Sequence, residues 1–280
     1  MWLTFALGSA VFAGSAIVLA KAGVKHVNPT AAAALQAIVV LLFAWGMVFF
    51  VGSQAGVYSI GRRTLLFLLL SGVSTGLSLF FCFRSLQSGT ANQVTPVGQL
   101  SVVLTLLVGM LRFHEPFSWV TIVAMVLMLL GIILMAADSK RSGWLLSAIL
   151  SAVFAAISSF LSRIGLAGVE RYLNQALQIS VAFILLWLIV LLSGKARQVG
   201  KVPLRNAIFL GLSGAAAGAA CLCLYHALRL GVDSHVALVS PLFLVITVLL
   251  ARIFLLEKLS GRAFGGLLLL MSGLWLPMLL

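Results

Sequence analysis

The chain has 280 residues, of which 62% are hydrophobic and only 8% charged, with a net charge of +13. Soluble domains carry roughly 25% charged residues, so a soluble globular protein is excluded and an integral membrane protein is indicated. The basic excess sits mostly at the ends of apolar runs, where Lys and Arg set topology and meet anionic head groups; no nucleic-acid partner is expected.

A helix needs about 20 mostly apolar residues to cross a bilayer. In chain order the apolar runs predict ten spans. They cover residues 2–20, 30–51, 64–83, 93–111, 119–137, 144–161, 176–192, 207–225, 236–254 and 263–280. Barrel strands would alternate over about 10 residues, and no such alternation is sustained. The expected fold is an all-α membrane protein. The first run lacks a basic leader and is too long for a signal-peptide core, so it is read as a retained span. Cys82, Cys221 and Cys223 lie within apolar runs and read as small packing residues. Neither a metal nor a cofactor is called for.

The chain repeats itself at an offset of 142 residues. "WLTFALGSAVFA" at 2–13 shares eight of twelve residues with "WLLSAILSAVFA" at 144–155, and "RTLLFLLLSG" at 63–72 shares six of ten with "RNAIFLGLSG" at 205–214. The same offset carries Gln36 onto Gln178, Gly131 onto Gly273 and Glu115 onto Glu257, with no gap. Residues 1–138 thus form a first five-helix repeat, residues 143–280 a second, and 139–142 a linker. Five spans is an odd number, so the second repeat enters the membrane inverted relative to the first, an arrangement common in secondary transporters. Counting basic residues by side gives six on the side of the termini and twelve on the linker side. The positive-inside rule then puts the linker in the cytoplasm and both termini outside.

Several residues stand out as candidates. "GVSTG" at 72–76 matches a serine-nucleophile pattern, but it lies inside a span and its repeat partner is "GAAAG" at 214–218. What the halves share is Gly72, Gly76, Gly214 and Gly218, a close-packing motif between membrane helices. All five acidic residues lie at span ends or in loops. Glu115 and Glu257, each with a basic neighbour in sequence (Arg112, Lys258), read as structural, and Ser118 and Ser260 as caps of the spans that follow. His226 is the best titratable group in or near a span, and its repeat partner is Arg84; both face either a cavity or the head groups. Tyr225 precedes His226 and is a further candidate. Gln36 and Gln178 are mid-span amides, read either as interhelical glue or as groups on a substrate path. Lys21 and Arg163 match across the repeat at span ends, as snorkelling residues or as a gate or vestibule. Pro96 and Pro241 fall in the first turns of spans 4 and 9, where interrupted helices line many transporter sites. That draws attention to Asn92, Gln93, Thr95, Gln99, Ser234 and His235, although capping explains several equally well.

The five-plus-five repeat, together with "LAKAGVKHVNP" ending span 1, "FFCFRSLQSGTANQVTPVGQLSVVL" through spans 3 and 4, and "FHE" and "LLE" before spans 5 and 10, resembles the EamA-type members of the drug/metabolite transporter superfamily. Such proteins read Ala-Leu-x-x-Gly after span 3, then a proline, then Leu-Gly-Glu. Here "RSLQSG", Pro96 and "FHE" stand in those places, and "HALRLG", Pro241 and "LLE" in the second half. An Arg common in span 2 of the family is Gln36 here, and an acidic-Lys pair after the span 4 proline is Gly98–Gln99.

The resemblance implies a secondary transporter that moves small metabolites by alternating access, through a cavity walled by spans 1, 3, 4, 6, 8 and 9. Phe80, Phe83, Trp187 and Tyr225 are aromatic residues that could shape it. Export of amino acids or related compounds is the first expectation, and a flippase for a lipid-linked or amphiphilic substrate the alternative. Partners are then a small-molecule substrate and membrane lipids, with coupling to a proton or a counter-substrate left open. The expected location is the plasma membrane, a bacterial inner membrane, as a multi-pass protein. An intramembrane enzyme is disfavoured by the lack of paired acids, of a Ser–His arrangement and of a metal cluster.

Overall fold

In the computed structural model the described residues are 2–53, 61–113, 119–137, 143–165, 170–194, 199–230, 236 and 238–279, and among them helix is the only regular structure. The helices are α1 (Trp2–Val24), α2 (Pro29–Val51), α3 (Arg62–Ser88), α4 (Ala91–Gly98), α5 (Leu100–Phe113), α6 (Trp119–Ala136), α7 (Gly143–Gly165), α8 (Arg171–Leu192), α9 (Leu204–Leu230), α10 (Leu242–Phe254) and α11 (Gly261–Leu279). Eight helical stretches, counting α4 and α5 as one, are long and apolar enough to cross a membrane. The shorter α10, with 13 residues, and α11 supply the remaining two spans.

Two spans differ from the sequence expectation. Span 4 is one membrane-length stretch with an interruption: Pro96 sits inside α4, and the regular helix is interrupted at Gln99 before α5 begins. Proline has no N–H to return to the carbonyl four residues back, and Gly98 adds a residue of low helix propensity. Span 9 was expected from Val236. Its continuous helix starts only at Leu242, after a turn through Ser240 and Pro241. Trp275 Nε1 donates to the Leu238 carbonyl at 2.8 Å, satisfying one acceptor at that interruption. Elsewhere the ends follow local chemistry. Asn28 caps α2 by accepting from Thr30 N at 3.1 Å, with Pro29 in the first helical position. Gly52 closes α2 at φ 78°, its N–H on the carbonyls of Val48 and Phe49; a left-handed conformation of this kind is easy for glycine. Ser260 caps α11 through a bond from Ala263 N at 3.2 Å, as its sequence position implies.

The helices run alternately, so the bundle has a face A, where α1 begins and α11 ends, and a face B, where α1 ends and α7 begins. The most extensive helix contact is α1 with α9, and the next is α3 with α7. The 142-residue offset turns one into the other. Each first span thus packs on the third span of the other half, so the halves interlock rather than lie side by side.

Glycine marks two other symmetry-related contacts, α3 with α8 and α9 with α2, in matched pairs. A Cβ on Gly72 would lie 2.5 Å from Val181 Cβ, and one on Gly214 would lie 2.8 Å from Val39 Cβ. Gly76 faces Leu185 and Ala182 of α8, and Gly218 faces Phe43 of α2. The last spans repeat the arrangement: Gly131 meets Gly266 and Leu270, and Gly273 meets Ala124 and Met128. All these glycines let two backbones approach where no hydrophobic effect drives helices together in lipid. The outward faces carry large apolar residues. Leu42 is 68% and Phe50 73% exposed, as expected of a surface solvated by acyl chains.

Candidate functional site

At face B the two halves are tied together by polar groups. Glu257, just past α10, accepts from Ala91 N at 2.9 Å with Oε1 and from Asn92 N at 3.1 Å with Oε2. These are two of the N–H groups that the first turn of α4 leaves unsatisfied, and a carboxylate is favoured at a helix N-terminus. The turn before Glu257 places Leu256 at φ 54°, a conformation that leucine rarely adopts and that persists only where surrounding contacts impose it. At the turn between α3 and α4, on the side opposite Glu257, Lys21 Nζ donates to the carbonyls of Leu86 and Gly89, both at 2.5 Å. The charges of Lys21 and Glu257 attract one another across it. Three more side-chain bonds lie at this face. Asn206 of α9 donates to the Gly23 and Lys25 carbonyls at 2.9 and 2.7 Å, closing the end of α1, and Gln87 donates to the Val27 carbonyl at 2.7 Å.

Glu257 is thus bonded to backbone N–H groups of the other half of the chain, and its sequence neighbour Lys258 is exposed. Lys21 also does more than reach for head groups, because it holds the carbonyls where α3 ends. Glu115 and His235 lie outside the described residues.

Toward face A lie two cavities between α2, α8 and α9. The larger, about 440 Å³, is lined by Leu42, Phe43, Gly46, Met47, Phe50, Leu222 and His226. The second, only about 20 Å³, shares Phe43 and Met47 and adds Tyr172, Gln175 and Cys221. Phe43 and Met47 therefore form a common wall, with an outer groove on one side and a more polar space on the other. Tyr225 is 4% exposed. Its ring meets Tyr172 edge-on at 4.7 Å, lies 5.3 Å from His226, and carries the Arg229 guanidinium at 4.9 Å. The His226 ring also lies 5.3 Å from Phe5. The candidates Tyr225 and His226 thus share one aromatic cluster with Tyr172 and Arg229, and His226 reaches the cavity.

The other predicted residues are placed as follows. Gln36 Nε2 donates to Ser213 Oγ of α9 at 2.8 Å, and Ser213 in turn donates to the Ala16 carbonyl of α1. Gln178 Nε2 donates to Ser162 Oγ of α7 and to Asn174 Oδ1, both at 2.8 Å. Both amides therefore bridge helices. Arg84 and Arg163 are exposed, and Gln93 and Gln99 are half-buried, with Gln99 at the break in span 4. Pro96 lies inside α4 and Pro241 begins α10. The serine of "GVSTG", Ser74, is buried in α3, and its neighbours Ser71 and Thr75 lie against Ser158 of α7. The motif is part of a helix contact.

Two residues of α4 are distinguished by what they lack. Asn92 Oδ1 and Nδ2 and Thr95 Oγ1 are buried without a hydrogen-bond partner. The sequence had set both among the residues near the interrupted helix, but which of those would be left unpaired depends on packing. It had no signal for Asn206 as the closing group of α1 or for Trp275 on Leu238, because both act on backbone atoms.

The sequence model of the EamA-like transporter family matches the chain twice, over residues 1–137 and 142–279. The chain belongs to this family. A chain from Sinorhizobium sp., described as an uncharacterized transporter in the cobO 3' region, is 34% identical over 135 residues, which are 48% of this chain and 96% of that one. The relative is thus about the length of one repeat. A protein known from a crystal structure superposes with a TM-score of 0.64 at 19% identity, covering 98% of this chain and 95% of its own; the likeness is one of fold. The family and the named relative are transporters rather than enzymes, and the apolar helices make this member a multi-pass membrane protein.

Proposed function

We propose that this EamA-type transporter exports small metabolites, such as amino acids or related compounds, by alternating access, with residues 1–138 and 143–280 as the two bodies that rearrange. The observation that carries this reading is the contrast between the two faces. Face B is held shut by bonds from Glu257 and Asn206 of one half to α4 and α1 of the other, while the cavities lie toward face A. A transporter closed on one side and accessible from the other has this asymmetry, and the pseudo-symmetric helix contacts supply a second arrangement in which the roles of the halves are exchanged. The basic residues favour face B as the cytoplasmic side of a bacterial inner membrane. On that reading the structure is closed to the cytoplasm.

A second reading rests on the larger cavity. Its lining is almost entirely apolar, and it includes Leu42 and Phe50, which face the lipid. An opening of this kind suits a lipid-linked or amphiphilic substrate entering from the bilayer. Flux through proteoliposomes separates the two. Saturable movement of labelled water-soluble amino acids supports the exporter. Headgroup scrambling without solute flux supports the flippase and defeats the exporter. A series of imposed pH gradients on the same vesicles tests coupling to protons.

A further inference from the structure

Asn92 joins the face B closure to a pair of buried polar side chains that have no hydrogen-bond partner. Its backbone N–H is held by Glu257 Oε2 at 3.1 Å. Its carbonyl is the one to which Pro96, four residues on, has no N–H to give. Its side-chain oxygen and nitrogen are both without a partner, as is the Thr95 hydroxyl one turn further along α4. The two residues are only 5% and 9% exposed.

Ser53 Oγ and Trp187 Nε1 are also buried without a partner, but other asparagines and threonines of the chain are paired. Thr75, Thr105 and Thr247 each return their hydroxyl to the carbonyl four residues back. Asn174 donates to Ser162, Asn206 to the end of α1, and Asn28 caps α2. A buried polar group left unpaired is costly and calls for an explanation. Here the explanation has a position: a short helix, broken at Gln99, whose first turn is gripped from the opposite half.

Resting on the transporter reading above, we infer that Asn92 and Thr95 are the contact point for an uncharged hydrogen-bonding group of the transported solute, a carboxamide or a hydroxyl. An amide and a hydroxyl together offer donors and acceptors but no charge. The nearby charges are already engaged, Lys21 on the Leu86 and Gly89 carbonyls and Glu257 on the Ala91 and Asn92 amides. An ionised group seated on Asn92 would be buried without a counter-charge, which is strongly unfavourable. A neutral group would satisfy atoms that the empty, closed conformation leaves dry. It would therefore bind that conformation better than the open one, where water can serve the same atoms, and shift the equilibrium toward closure at face B. Glu257, bonded to the amide of the same residue, is the positioning residue that transmits this.

Thermal unfolding of the purified full-length protein in detergent tests the assignment, with acetamide as the neutral probe and acetate as the charged control. Thr95→Val keeps the shape and removes the unpaired hydroxyl, so it raises Tm by a few degrees without any probe. Acetamide raises the Tm of the wild type relative to Thr95→Val and Asn92→Leu, a comparison that cancels its general effect on proteins, and acetate does not. A fall in Tm for Thr95→Val means that the hydroxyl has a partner, and overturns the inference. So does an equal response of wild type and Asn92→Leu to acetamide. The measurement needs no gradient. A protein that responds selectively to acetamide yet moves no solute in vesicles keeps the site and loses the transporter reading, and one that transports without the response loses only the site.

Discussion

Gly218 lies so close to Phe43 that a Cβ on the glycine would overlap the phenylalanine ring. The contact joins α9 to α2 and forms the inner edge of the groove that opens toward lipid. Overpacking a close contact costs about 1–3 kcal/mol. Gly218→Ala is expected to lower thermal stability by about that amount, and Phe43→Ala in the same chain to restore part of it. Gly46→Ala, where nothing lies within 4 Å of the added carbon, is expected to raise stability by up to about 1 kcal/mol, since alanine is the better helix former. Unfolding curves of the four proteins in one detergent check all three statements.

Gln36 and Ser213 form a bond of another kind, an amide on a hydroxyl between spans. Such bonds in membranes average about 0.6 kcal/mol and reach about 1.7. Gln36→Leu is expected to cost about that much stability and to leave solute flux per folded molecule intact. A flux loss well beyond the loss of folded protein would instead put Gln36 on the substrate path. Gln178→Leu, which also releases Asn174 and Ser162, is expected to cost more than Gln36→Leu.

Glu257 and Lys21 act on the two sides of one turn, so their removal should not be additive. Loss of a helix cap costs about 0.5–2 kcal/mol. Glu257→Gln, which keeps one acceptor oxygen and loses the charge, is expected to fall between wild type and Glu257→Ala. Lys21→Met combined with Glu257→Gln is expected to cost less than the two changes summed. A double-mutant cycle on Tm reads this directly.

His226 is the titratable group that reaches the larger cavity. With its ring set beside Phe5 and Tyr225, it is placed as a wall element. If a pH gradient drives accumulation in vesicles, His226→Gln is expected to reduce the rate and to leave the gradient-driven component in place. Disappearance of that component alone would identify His226 as the proton carrier.

Reporters fused after Leu280 and inserted in the 139–142 linker check the orientation. The twelve-to-six basic asymmetry predicts an external signal from the first and a cytoplasmic signal from the second.

Much of the fold is legible in the sequence. Hydropathy marks the spans because lipid requires each crossing segment to satisfy its own backbone and present apolar side chains. The glycine pairs are legible too, since Gly72 and Gly76 match Gly214 and Gly218 across the repeat. The breaks in spans 4 and 9 are signalled by Pro96 and Pro241, but their form is not. Whether a proline bends a helix or divides it depends on what neighbouring groups do for the freed carbonyls, and at Leu238 the neighbour is Trp275.

The sequence by itself determined that this is a membrane protein of two repeated halves, because composition and self-similarity are read along the chain. Only the tertiary structure decided the partners. Glu257 sits beside Lys258 in sequence yet binds Ala91, 166 residues away. A helix N-terminus stripped of water attracts a carboxylate more strongly than an exposed lysine screened by solvent. The same holds for Asn92 and Thr95. Their polarity is written in the sequence, but their lack of a partner arises only when α4 is enclosed between the halves.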